Sequence, residues 1–236
     1  MFFKRVAMYL RFLRSMFRVN KGLLWGMWKL TKLPQPAITV FGGTKLPVSH
    51  PTAKIISALT KKLAHAGFSI ITGGGPGIME AANLGALEHA NHKKKPSFTT
   101  IGIGLTQLQT FNKYVQDNII QPYFFTRKWL LVRYSVGFIV GPGGFGTLDE
   151  LTEVLTLIQT HQMPKTPVVL INKSYWQPFL NWVHEHPLKE KLLSKKDAHI
   201  LTIADTAEEA FEIIQKNCGD APQCSIEAPP TEKKSN

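Results

Sequence analysis

Three short apolar runs in this chain are each followed by a glycine-rich turn and then by a stretch with helical periodicity. The turns are Gly42-Gly43, Gly73 to Gly77 and Gly141 to Gly146. Strands that alternate with helices form a parallel sheet covered on both faces, so the pattern predicts an α/β fold, a Rossmann-like doubly wound parallel sheet. Ligands of such sheets bind at the carboxyl ends of the strands. The sequence therefore predicts one crevice lined by three glycine turns.

The chain divides into three predicted parts: a basic, amphipathic helical arm at 1–33, the α/β domain at 34–217, and a tail at 218–236 with the composition of disordered segments. Periodicity predicts strands at 37–41, 68–72, 99–103, 136–140, 166–171 and 200–203. It predicts helices at 52–65, 78–89, 124–134, 148–160, 175–184 and 206–217.

The formal net charge of +12 is concentrated in the arm, because residues 1–33 hold eight of the 28 Lys and Arg residues and no acid. The excess therefore does not indicate a nucleic-acid surface on the domain, and nucleic acid is not expected as a partner. Cys218 and Cys224 form no disulfide framework and no metal-binding spacing, which favours a reducing, cytoplasmic compartment. The eight histidines have no metal-binding spacing either; they are interpreted as structural or solvated, and no metal is expected.

The arm has two interpretations. Arg11, Arg14 and Arg18 recur at helical spacing beside an apolar face that includes Leu13 and Phe17. No apolar stretch approaches the roughly 20 residues that span a bilayer. The arm is then either an amphipathic helix in peripheral contact with an anionic surface such as the inner membrane, or an extra helix packed on the domain with solvated bases. A mitochondrial-type presequence has a similar composition.

The third glycine turn, Gly141 to Gly146, is the best candidate for an anion-binding site. Main-chain N–H groups of this turn have no partner inside the helix and are suited to a phosphate, and the helix dipole adds positive potential there. We expect Thr147 to cap the helix and Glu150 to sit in its first turn beside the anion. No Gly-Lys-Ser/Thr follows a turn and no acid ends the next strand, so a P-loop and a dinucleotide site are both disfavoured. The turn is interpreted as a phosphate cradle with an acid/base group.

Charged side chains are predicted to join this cradle. Arg127 and Lys128 lie at the start of the helix before the strand that carries the third turn, where they either hold an anion or are solvated. Glu153 lies one helical turn beyond Glu150, and its position fits a structural role as well as a role at the site. Glu80 follows the second glycine turn. Carboxylates near a sugar stabilise an oxocarbenium-like transition state and orient water. The combination indicates cleavage of a phosphorylated sugar derivative.

The segment from Pro142 to Glu150 resembles the Pro-Gly-Gly-x-Gly-Thr-x-x-Glu signature of the LOG ("lonely guy") family, long labelled lysine decarboxylases. Arg127-Lys128 and the segment from Gly73 to Asn83 are similar to two further motifs of that family. The likeness covers about residues 37–215, and the arm and tail lie outside it. No lysine marks a pyridoxal site, so the decarboxylase label has no support in the sequence.

The resemblance implies a homodimeric nucleoside 5′-monophosphate phosphoribohydrolase without a cofactor, acting on a cytokinin riboside monophosphate or an AMP-type substrate. Its catalytic pair would be Glu150 and Arg127. The residues implied or expected to contact the substrate are Gly43, Thr44, Gly74, Gly75, Glu80, Lys128, Gly143, Gly144, Gly146, Thr147 and Glu153. The alternative is a protein of the same superfamily fold that binds a nucleotide, the molybdenum cofactor or single-stranded nucleic acid without turnover.

Overall fold

Seven parallel strands form one sheet in the computed structural model, which describes residues 2–33, 36–90, 100–107 and 110–218. The strands are β1 (Ala37–Phe41), β2 (Ser69–Thr72), β3 (Thr100–Leu105), β4 (Asp117–Gln121), β5 (Ser135–Val140), β6 (Val168–Ile171) and β7 (Leu201–Ala204). The helices are α1 (Phe2–Leu30), α2 (Pro51–His65), α3 (Ile78–Ala90), α4 (Phe124–Arg133), α5 (Phe145–Gln159), α6 (Lys173–Val183), α7 (Lys195–Ala198) and α8 (Ala207–Cys218), with a π-helical turn at His184–Leu188.

The order of the strands creates a switch point at the centre of the sheet. It runs β4-β3-β2-β1-β5-β6-β7, so the sheet grows to one side from β1 to β4 and to the other from β5 to β7. Val40 of β1 is in register with Thr72 of β2 and Ile139 of β5. The three strands that carry glycine turns therefore end level with one another, beside the position where doubly wound sheets bind ligands.

Helices cover both faces of the sheet, which confirms the predicted doubly wound fold. One core lies under α2, α3 and α8 and contains Ile56, Ile78 and Ile214. The other lies under α4, α5, α6 and the end of α1 and contains Leu130 and Trp176. The central strands are buried along nearly their whole length because both faces are covered; Ser135 at the start of β5 is partly exposed.

The sequence did not predict β4, which forms one edge of the sheet. Its residues Asp117–Gln121 bury only Ile119 and Gln121, so the strand lacks the apolar run that identifies a central strand. The helix α1 packs beside this edge: Gln121 Nε2 donates to the carbonyl of Gly22 at 2.9 Å, and Lys29 Nζ donates to Asp117 Oδ1. A short edge strand covered by a helix is protected from pairing with other chains.

The third glycine turn also differs from its prediction. Gly144 is the N-cap residue, and α5 begins at Phe145 rather than at 148. Thr147 therefore lies within the first turn of α5 and does not cap it, and Glu150 lies in the second turn. The glycines at 144 and 146 weaken the helical pattern of this segment, which hides the first turn from a sequence-based prediction.

The predicted arm is a helix through most of its length. Val19, Leu23, Met27 and Leu30 recur every three or four residues and form the side that packs on the domain. Gly26 permits a close approach, since a Cβ there would lie 2.4 Å from Leu130. Within the described residues, no helix is both long and apolar enough to cross a membrane. The predicted tail lies outside the described residues from 219 onward.

Candidate active site

A cavity of about 870 Å³ lies at the carboxyl ends of the strands, beside the switch point. Residues that follow β1, β2, β5 and β6 line it, together with the end of β3. All three predicted glycine turns reach this cavity, through Gly42, Gly43, Gly73, Gly75, Gly143, Gly144 and Gly146. The cavity is large enough for a nucleotide-sized ligand.

Hydrogen bonds connect the three turns directly to one another. The N–H of Gly43 donates to Pro142 O at 2.8 Å, and the N–H of Ile78 donates to Gly43 O at 3.1 Å. Gly77 has a φ of +77°, and a Cβ there would lie 2.5 Å from Gly43 O. A side chain at Gly77 would therefore force the first and second turns apart.

The third turn presents free main-chain donors. The first hydrogen bonds of α5 run from the N–H groups of Thr147 and Leu148 to Gly144 O, and no partner within the described ranges engages the N–H of Phe145 or Gly146. A Cβ added at Gly144 or Gly146 would meet nothing within 4 Å. These two glycines therefore leave open space at the positive end of a helix, which is an arrangement that favours an anion.

Arg127 and Glu150 form an ion pair at the cavity wall. Arg127 Nη1 donates to Glu150 Oε1 at 2.9 Å, and Arg127 Nε donates to Ile103 O at 2.8 Å. The two side chains are only 14% and 13% exposed. A bond at each end of the guanidinium fixes the orientation of Arg127, so the pair is rigid as well as largely shielded from water.

Burial determines the protonation behaviour of Glu150. Burial raises the pKa of the Glu150 carboxyl above its ordinary value of 4.5, while the charge and the hydrogen bond of Arg127 offset part of the rise. The surroundings of Glu150 therefore disfavour its ionised form relative to water. Carboxyl groups with a raised pKa in a cavity are typical of acid/base chemistry.

Thr44 and Thr147, two of the residues expected to contact the substrate, both line the cavity. Thr147 is 4% exposed, and a Cβ at Gly143 would lie 2.1 Å from its hydroxyl oxygen. The turn is thus closed tightly around Thr147, and a side chain at Gly143 would displace this hydroxyl.

Lys128 and Glu153 pair with each other and do not line the cavity. Lys128 Nζ lies 3.0 Å from Asp149 Oδ1 and 2.8 Å from Glu153 Oε2, and none of these residues lines the cavity. Partial burial lowers the pKa of Lys128, but pairing with Glu153 and Asp149 outweighs it and raises that pKa overall. These contacts fit the alternative role for Glu153, a structural carboxylate, and they hold α4 against α5.

Glu80 and Gly74 are also outside the lining. Glu80 is half-buried in the first turn of α3. Gly74 has a φ of +75°, and a Cβ there would lie 2.3 Å from the ring of Phe111. Gly102 and Gly104 face the same ring. Gly74 therefore shapes the second turn by letting Phe111 pack on it.

Several residues at the site were not predicted from the sequence. Asn112 donates from its side-chain amide to Gly74 O and Gly75 O, at 3.1 and 2.9 Å, and so fixes the second turn. Tyr175 donates from its hydroxyl to Gly143 O.

Asn172 lines the cavity at a φ of 85° and caps α6. Asn172 directly follows the apolar run of β6, and this position at the end of a strand could have identified it as a candidate site residue.

His50 is both structural and part of the cavity wall. Its ring Nδ1 accepts a hydrogen bond from the N–H of Thr52, which caps α2 and agrees with the structural role predicted for the histidines. The same side chain lines the cavity, which the sequence did not indicate. In the described part of the chain, no group of three or more His, Cys, Asp or Glu side chains is arranged to hold a metal ion.

Comparison with known proteins identifies the family. Residues 79–214 match the model of the family described as "Possible lysine decarboxylase". The chain belongs to this family, the LOG family. It is 30% identical over 154 residues to cytokinin riboside 5′-monophosphate phosphoribohydrolase LOG of Oryza sativa subsp. japonica, a match that covers 64% of the chain and 61% of that protein. The family membership that the sequence motifs indicated is confirmed.

A second relative and a solved structure agree with this family and fold. The chain is 29% identical to a probable cytokinin riboside 5′-monophosphate phosphoribohydrolase of the same rice, over 67% of the chain and 73% of the relative. The molybdenum cofactor carrier protein of Chlamydomonas reinhardtii superposes with a TM-score of 0.58 at 22% identity, over 79% of the chain and 100% of the carrier. At that identity the likeness to the carrier shows the fold alone.

Proposed function

We propose that this protein hydrolyses the N-glycosidic bond of nucleoside 5′-monophosphates and releases the free base and ribose 5-phosphate. One observation carries the proposal: the largely buried ion pair of Arg127 and Glu150 opens onto the same cavity as the free amides of the third glycine turn. The rice relatives are named as enzymes of this kind. The match spans less than two thirds of the first of them, so the activity is a proposal for this chain.

The phosphate end of the substrate is assigned to the start of α5. The N–H groups of Phe145 and Gly146 are unpaired within the described residues, and the helix dipole adds positive potential in front of them. The hydroxyl of Thr147 lies at the same wall of the cavity. A phosphate held there places the attached sugar further into the cavity, towards the end of β3 and the ion pair.

The sugar end is assigned to Glu150. As the C1′–N bond breaks, its electron pair leaves with the base and positive charge develops on the ribose. The carboxylate of Glu150 stabilises that charge and orients the water whose oxygen bonds to C1′. The protons of that water go to the departing base and to the new hydroxyl group of the sugar. The charge and the hydrogen bond of Arg127 favour the ionised form of Glu150 and fix its orientation, and the guanidinium offsets negative charge from the carboxylate and the phosphate.

Base preference and assembly belong to the same proposal. The rice relatives are named for cytokinin riboside monophosphates, and AMP shares the purine ring system. A homodimer is expected from the family, and its test is sedimentation of the purified protein. The cavity volume of about 870 Å³ accommodates either nucleotide.

Turnover of simple nucleotides tests the proposed function. The purified chain is incubated with AMP, GMP, CMP, UMP and a cytokinin riboside monophosphate, and free base is quantified by chromatography. We expect base release from at least one monophosphate and none from the matching nucleoside, which lacks the group that the third turn holds. Tight nucleotide binding without any release of base would instead favour the carrier-type alternative.

The open space at Gly146 gives a second prediction. Gly146→Ala should raise the KM for the nucleotide about tenfold, because the new methyl group projects into space that the phosphate needs. The melting temperature should not fall, since alanine is favoured over glycine within a helix, by up to about 1 kcal/mol. Steady-state kinetics and a melting curve measure the two effects. An unchanged KM would contradict the assignment of the phosphate to this turn.

A further inference from the structure

The helix α1 carries an apolar stripe that the domain does not cover. The stripe consists of Val6, Leu10, Leu13, Phe17, Leu24 and Trp28. Their spacing of three, four or seven residues puts them on one side of a helix. Each is at least 39% exposed, and Phe17 reaches 70%. This side differs from the packing side formed by Val19, Leu23, Met27 and Leu30. The helix therefore has two apolar sides, and the domain covers only the C-terminal part of the packing side.

Positive charge follows the stripe along the helix. Arg11, Arg14, Arg18 and Lys21 are exposed and recur at helical spacing, and α1 contains no acidic residue. The carboxylate that pairs with Lys29 of α1 belongs to β4. An apolar stripe bordered by uncompensated cations is the arrangement found in helices that lie in a membrane interface.

We propose that α1 binds the surface of an anionic phospholipid bilayer, with the stripe inserted among the acyl chains and the arginines at the phosphate groups. Lipid supplies negative charge and an apolar layer together, which matches both features of α1. A second copy of the chain fits less well, because two helices without acids would repel each other along their length. Nucleic acid would pair with the arginines but would leave Leu10, Leu13 and Leu24 uncovered.

Vesicle binding by the full chain tests the proposal. Sedimentation with phosphatidylcholine vesicles is compared with sedimentation with vesicles that contain phosphatidylglycerol in addition. We expect binding at least about tenfold stronger to the anionic vesicles, weakened by salt. Quenching of Trp25 and Trp28 fluorescence by brominated lipid should accompany it and should be lost in a W25F/W28F variant. No binding to anionic vesicles, or equal binding to both kinds, would overturn the proposal.

A matched pair of double variants separates insertion from simple charge attraction. L13Q/F17Q removes two residues of the stripe, and F12Q/M16Q removes two exposed apolar residues in line with the packing side. We expect the first variant to lose binding at least about tenfold and the second to keep it within about threefold. All four positions are exposed, so unfolding midpoints should match that of the parent. Equal binding by both variants, or a change of oligomeric state confined to L13Q/F17Q without vesicle binding by the parent, would overturn the proposal.

Discussion

Glu150→Gln is expected to lower kcat for base release by about 10²–10³-fold while nucleotide binding persists. Glutamine keeps the shape of the side chain and an oxygen that accepts from Arg127, but it carries no charge to stabilise the sugar cation or to orient water. Phosphate binding depends on the third turn, which this variant leaves intact. Single-turnover kinetics and titration calorimetry with AMP, or with the nucleotide that the parent cleaves best, separate the two effects. Retention of full kcat would remove Glu150 from the mechanism.

The pH dependence of the stability of E150Q tests the raised pKa of Glu150 without an activity assay. Because the pKa of Glu150 is raised in the folded protein, the parent is most stable relative to the variant below pH 4.5 and loses stability as pH rises through the raised pKa. Glutamine does not titrate, so E150Q should lack that loss. The difference in unfolding midpoint between the two proteins should therefore shift in favour of E150Q as the pH rises from about 4 to 7. A difference that stays constant, or that shifts in favour of the parent, would contradict a raised pKa at Glu150.

Gly73→Ala is expected to reduce kcat about 100-fold although it changes no functional group. A Cβ at Gly73 would lie 2.1 Å from Arg127 Nη2 and 2.9 Å from Met79 Sδ. Arg127 cannot move aside without breaking its bonds to Ile103 O or to Glu150. Steady-state kinetics measure the loss, and circular dichroism checks that the fold remains.

Gly75→Ala is the matched control on the same turn. A Cβ there would lie 2.8 Å from Met79 Cε, the flexible end of a side chain, and would not touch Arg127. We expect kcat to stay within about fivefold of the parent, with the main effect on KM because Gly75 lines the cavity. Equal loss in G73A and G75A would mean that the turn tolerates no side chain at all, and the position of Arg127 would not explain the loss.

Much of the fold follows from local patterns in the sequence. The central strands are mostly apolar because both faces of the sheet are covered, so the sequence distinguishes them from the amphipathic helices. The glycine turns directly follow those strands, and the level ends of parallel neighbours bring such turns together. The strand β4 lacks this signal, because an edge strand with two buried residues needs no apolar run.

The orientation of charged side chains at the site could not be predicted in the same way. Arg127 and Lys128 are adjacent, and neighbouring residues on a helix point about 100° apart, so only one of them enters the cavity. Glu150 and Glu153 differ by about 60° around α5, which is enough to direct one to Arg127 and the other to Lys128. The rotation of α4 and α5 about their axes depends on packing across the whole face of the sheet. Asn112 contacts the second glycine turn from a segment distant in sequence, and no local sequence pattern indicates this contact.

The identity of the products tests the central claim most directly. The parent protein is incubated with the monophosphate that it cleaves best, and base, ribose 5-phosphate, nucleoside and inorganic phosphate are all quantified in the same reaction. Cleavage at C1′ by water predicts base and ribose 5-phosphate in equal amounts, with no nucleoside and no inorganic phosphate. Nucleoside with inorganic phosphate, or nucleotide recovered intact after binding, would contradict the account.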